Sequence, residues 1–118
     1  CKKSERRLKM HQYIVDTLTS LGIEMAWGCY TGDADHYLIF SVYQEEETDR
    51  CDDQYLFDRF YLTISYWFKA PEQLSNKTKI KQCLLEAGFI FDGAKDLFDN
   101  EKHGINFDFI YEQEKELS

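Results

Sequence analysis

Between Tyr55 and Phe68 the sequence alternates for longer than anywhere else in the chain. Phe60, Leu62, Ile64, Tyr66 and Phe68 fall on one side of an extended backbone, and Tyr61, Thr63, Ser65 and Trp67 fall on the other. A period of two puts successive side chains on opposite faces of a pleated strand. This stretch therefore commits the chain to a sheet with one strongly apolar face. Such a face has to be buried against another layer.

The neighbouring segments supply that layer and the rest of the sheet. Residues 4–21 read as an amphipathic helix, with Leu8, His11, Val15, Leu18 and Leu21 at spacings of three and four and Ile14 beside them. Lys9, Gln12, Asp16 and Thr19 mark its opposite face, and Gly22 suits the position after its end. Ile23 to Tyr30 is a short strand expectation and His36 to Tyr43 a clear one. The turn chemistry of residues 31–35 joins the pair as a hairpin. Residues 44–54 are polar and acidic and are expected to form an exposed loop. Pro71 opens a second helix whose inward stripe is Leu74, Ile80, Leu84 and Ala87, and Gly88 stops it. Phe89 to Asp92 begins another strand, extended after a kink through residues 93–99. A turn at residues 100–104 leads to a last strand, Ile105 to Glu112, and the polar tail beyond it is expected to fray. The order is α-β-β-β-α-β-β. It predicts an α+β fold, with two helices packed on an antiparallel or mixed sheet of four to five strands. No repeat or linker divides the 118 residues, so residues 1–118 are read as one domain.

Charge narrows the classes of partner. Twenty-two acidic residues against 14 basic give a net charge of −8. Nucleic-acid binders carry a basic face that displaces counterions from phosphate. Here the basic residues cluster only at Lys2, Lys3, Arg6, Arg7 and Lys9, which read as a solvated helix face. The same balance disfavours anionic membranes. No apolar run approaches a membrane span, and no signal peptide is evident, so an intracellular protein with reduced thiols is expected. Cys1, Cys29, Cys51 and Cys83 have no CxxC spacing, and Cys83 fits a small core residue.

Three places could carry chemistry. Asp33, Asp35 and His36 bring two carboxylates and an imidazole close in sequence, but no calcium-loop spacing follows, and a polar turn is the simpler account. The acids Glu45, Glu46, Glu47, Asp49, Asp52 and Asp53 are too exposed as a loop for acid–base work; a solvated loop and electrostatic docking onto a basic surface both fit. His103 has no marked nucleophile for a partner, and His11 lies on the apolar side of its helix. No phosphate loop, GxSxG or HExxH is present. The sequence therefore predicts no catalytic residue, no metal site and no cofactor. The aromatic share of 16% is high. Tyr30, Tyr37, Tyr43, Tyr61, Trp67 and Tyr111 exceed what one modest core holds. They point to a sheet face or edge used as an interface, Tyr61 and Trp67 among its residues. The alternative is a sheet covered on both faces, one helix on each.

The order of motifs resembles a known family. Met25-Ala26-Trp27 follows the first helix, then YLIFSVY at 37–43, Cys51-Asp52-Asp53, YLTISYWFK at 61–69, LLEAGF at 84–89, and His103 to Glu112 in the pattern H-x-x-x-F-x-F-x-Y-E. This is similar to the small prophage proteins grouped with siphophage tail terminator and tail completion (head–tail joining) proteins, over roughly residues 5–113. The resemblance implies a virion structural protein that forms a hexameric ring with copies of itself. Such a ring caps the tail tube and joins it to the head connector, in the bacterial cytoplasm during assembly and then in the virion tail. It implies tail tube protein and head connector proteins as partners, and no catalytic residues. A stand-alone acidic binding module, of the immunity or inhibitor type, is the alternative.

Overall fold

The computed structural model describes residues 2–49, 55–99 and 101–116. The elements are α1 (Lys2–Leu18), β1 (Glu24–Trp27), β2 (Tyr37–Asp49), β3 (Tyr55–Phe68), α2 (Asn76–Glu86), β4 (Ile90–Asp99) and β5 (Lys102–Glu116). The strands form one five-stranded sheet in the order β1-β2-β3-β5-β4. The chain is an α+β protein, as its order of elements predicts, with the Tyr55–Phe68 strand at the centre of its sheet.

The alternation in β3 decides which face is buried. Phe60, Leu62, Ile64, Tyr66 and Phe68 all sit in the core with Leu38, Phe40 and Val42 of β2 and Ile105, Phe107 and Phe109 of β5. Both helices cover that face, α1 through Met10, Ile14 and Leu18, and α2 through Ile80 and Leu84. Two helices on one face is the two-layer arrangement expected, and the alternative of one helix on each face is excluded. In α1 the centre line runs through Met10, Ile14 and Leu18, with Val15 and Leu21 beside it, so the predicted stripe is rotated by part of a turn. In α2, Ile80 and Leu84 are buried as expected, but Leu74 is exposed. Leu74 lies in a short 3-10 turn, Pro71–Ser75, whose tighter winding takes it off the stripe. The Gln73 side chain carbonyl accepts from the backbone N–H of Lys69 and Ala70, both at 3.1 Å, and so caps that turn.

The first two strands are not a hairpin. β1 lies parallel to β2, with Glu24 beside Tyr37 and Trp27 beside Phe40. Gly28, at φ 83°, turns the chain out of β1, and its N–H bonds the Phe40 carbonyl at 3.0 Å. Residues 28–36 then run back so that β2 starts where β1 started. A positive φ there suits glycine.

Two further boundaries differ from expectation. The acidic loop predicted for residues 44–54 is strand as far as Asp49, with Gln44 to Asp49 paired against Tyr61 to Leu56. Residues 50–54 lie outside the described residues. Pairing with a long neighbour outweighs the weak strand preference of Glu and Asp. β1 covers β2 only at residues 37–40, so Gln44 to Asp49 form an open edge. Carboxylates on an open edge hinder pairing with a foreign strand. The tail expected to fray from Glu112 is likewise strand to Glu116, opposite Tyr55. The three long strands make an elongated molecule of 51 × 26 × 24 Å.

Candidate interaction surface

Among the described residues, none forms a second layer on the face of the sheet opposite the helices. Tyr37, Ile39, Ser41, Tyr43, Tyr61, Thr63, Ser65, Trp67, Asn106, Asp108 and Ile110 share it by register. Its three zones differ in chemistry.

At the β1 end the face is closed by its own side chains. Tyr30, from the loop after β1, stacks on Tyr37 with ring centroids 3.9 Å apart. Its hydroxyl donates to the Glu24 carboxylate and accepts from the Ala34 N–H at 2.9 Å. Hydrogen bonding to Glu24, then burial, raises the Tyr30 phenol above its ordinary value. Lys102 Nζ lies over the Tyr37 ring at 4.9 Å. The Trp67 ring lies against Gly104 on β5, where a Cβ would meet ring carbons at 2.8 Å. An aromatic ring on a strand glycine covers backbone that no side chain of its own protects.

The middle is polar. Ser65 Oγ donates to Asn106 Oδ1 at 2.9 Å, and Asn106 Nδ2 donates to Asp108 Oδ1 at 3.2 Å. Thr63 faces Asp108 across the ladder.

The far end is open. Tyr61 pairs with Gln44 on one side and Ile110 on the other, and Ile110 pairs with Ile90 of β4. A bulge between Val42 and Gln44 adds Tyr43 to this row, its ring 6.2 Å from Tyr61. A second bulge, between Phe91 and Gly93 on β4, adds Asp92 at nearly the same height. Bulges redirect side chains and are frequent beside functional surfaces. Tyr43 is 54% exposed and Ile90 47%. Partial burial, with Asp108 and Asp92 adding negative potential, raises the Tyr43 phenol above its ordinary value. Below this row Arg59 binds Glu112, with Nη2 2.6 Å and Nε 2.8 Å from one carboxylate oxygen. Hydrogen bonds to Tyr61 and Glu112 raise the guanidinium further.

The predicted interface residues are therefore separated. Tyr61 and Trp67 share the outer face but lie at opposite ends of it, six residues apart on β3, about 20 Å at strand rise. Glu46 stands opposite Arg59, and Glu45 opposite Phe60 on the core side. Glu47 and Asp49 lie on β2, while Asp52 and Asp53 fall outside the described residues. Tyr43, Ile90 and Ile110, which complete the open end, were not singled out together from the sequence. Gly93 is the one local signal for a bulge there.

The three histidines have separate neighbours. His36 leaves Asp33 and Asp35 on the surface; its Nδ1 meets the buried Tyr66 hydroxyl at 2.7 Å. That hydroxyl also accepts from Asn76 Nδ2 at 2.8 Å, which ties the start of α2 to the sheet. Burial raises the Tyr66 phenol above its ordinary value. His103 packs between aromatic rings, 5.2 Å from Phe98 and 6.0 Å from Phe68. His11 is buried near the Trp27 ring, at 4.6 Å. Among the described residues no three His, Cys, Asp or Glu side chains gather as a metal site. Cys29 and Cys83 are free thiols. Among the described residues no helix is long and apolar enough to cross a membrane.

No protein-family model matches the sequence, and a search of curated proteins finds no match.

Proposed function

We propose that this is a non-catalytic assembly protein that works through the outer face of its sheet. The observation that carries this is the outer face itself, ending in a row where Tyr43 and Ile90 are exposed and Tyr61 and Ile110 between them are half-buried. Exposed apolar residues grouped on a sheet, with charged groups around them, suit a protein interface. The family resemblance gives this reading its specific form: a ring-forming protein that caps a phage tail tube or joins it to the head connector. Ring closure uses a heterologous contact, in which two different patches of each copy meet.

The edges bear on how such a contact forms. β1 offers only four residues. β4 is longer, but a bulge and the charges of Asp92, Lys95, Asp96 and Asp99 interrupt it. These features hinder strand-to-strand pairing. Face-to-body contact therefore fits the ring better than a continuous sheet. The acids Asp92 and Asp108 beside this row also favour the second reading, an acidic module that masks a basic partner.

Light scattering over a wide concentration range separates them. The assembly reading expects a ring-sized species that Ile90→Ser with Ile110→Ser reduces to monomer without loss of fold. A monomer at every concentration, and still a monomer with tail tube protein present, would overturn it and favour the acidic module.

A further inference from the structure

The open end of the outer face pairs apolar area with unbalanced negative charge. Tyr43, Tyr61, Ile110 and Ile90 cross four strands, a row about 14 Å wide at ordinary strand spacing. Asp92 is brought there by the β4 bulge, and Asp108 faces Thr63 and Gly93 one row further up. The nearest cation below, Arg59, is already bound to Glu112. Lys95 lies two positions from Gly93 on β4, and no ion pair joins it to Asp92 or Asp108 among the described residues. Carboxylates beside a half-exposed tyrosine pair favour a cation, which gains both ion pairing and the face of a ring.

We infer that this patch is a docking site for a basic segment of a partner protein, with an arginine or lysine held between the Tyr43 and Tyr61 rings and the carboxylates of Asp92 and Asp108. A second copy presenting the same patch is disfavoured, because Asp92 and Asp108 would meet their own kind. The inference rests on the outer face being an interface, and not on the ring.

Hexa-arginine serves as the probe, with binding followed by fluorescence polarisation and its footprint mapped by amide shifts in NMR. Saturable binding is expected, with shifts centred on Tyr43, Tyr61, Asp92 and Asp108. Asp92→Asn with Asp108→Asn, and separately Tyr43→Ser, should each weaken it about tenfold or more. Asp16→Asn with Glu86→Gln removes the same charge from the exposed helical side and should weaken it less than about twofold. Equal weakening by the two charge pairs, a footprint elsewhere, or no saturable binding would each overturn the site. Circular dichroism establishes that each variant is folded. A chain that binds the peptide at this patch yet never assembles sinks the ring and keeps the docking site. One that assembles without this footprint does the reverse.

Discussion

The least replaceable residues are those that join layers. Leu62 and Leu84 are fully buried on opposite sides of one interface, sheet and helix. Truncating either to Ala should cost about 2–5 kcal/mol, read from urea denaturation; a loss under about 0.5 would mean the site collapses freely. Gly104 is a different case. A methyl group there would strike the Trp67 ring, so Gly104→Ala should destabilise by about 1–3 kcal/mol and change the near-UV circular dichroism. An unchanged spectrum would show that the ring does not lie on β5 in solution. The Tyr13 hydroxyl donates to the Ala87 carbonyl at 2.6 Å, across the end of α2. Tyr13→Phe should lose about 0.5–1.5 kcal/mol. Tyr66 carries a pH signature. Its folded pKa is raised by burial from 10.0, so the folded state holds the proton more tightly than the unfolded one. Its stabilising effect is complete below pH 10.0 and is lost as pH rises through the folded value. Urea midpoints should therefore fall above that pH, and fall less in Tyr66→Phe.

At the scale of elements, what was legible in the sequence depended on how local its cause is. The β3 alternation, the Gly22 stop and the α2 stripe of Ile80 and Leu84 are set by neighbours within a turn or a pleat, and they stand as expected. The acidic segment after Tyr43 reads as a loop, yet its strand comes from pairing with residues 56–61, which composition does not reveal. The same holds for β1. Its parallel partnership depends on Gly28 and the path of residues 28–36, while alternating strands with a turn between them resemble a hairpin. Of the candidate surface, Tyr61 and the surplus of aromatics were visible in advance. Composition does not place Tyr43 and Asp92 at one end of the outer face, because bulges on two separate strands set their positions.

For the whole molecule, the two layers have unequal tasks. The helical layer closes the core, and the sheet presents its other side outward. Neutralising Glu45, Glu46 and Glu47 together should leave the fold intact, read from circular dichroism. It should weaken assembly, measured as the shift of the oligomer's midpoint to higher concentration; an unmoved midpoint would take the β2 acids out of the contact. The order of strands has one more effect. β3 is paired along nearly its whole length on both sides, while β1 hangs on four residues at the margin. The molecule is thus divided into a part that loosens by itself and a part that loosens only with everything else. In heavy water the amides of β1 should exchange through brief local openings, while those of Leu62 to Tyr66 wait for the complete unfolding of the chain.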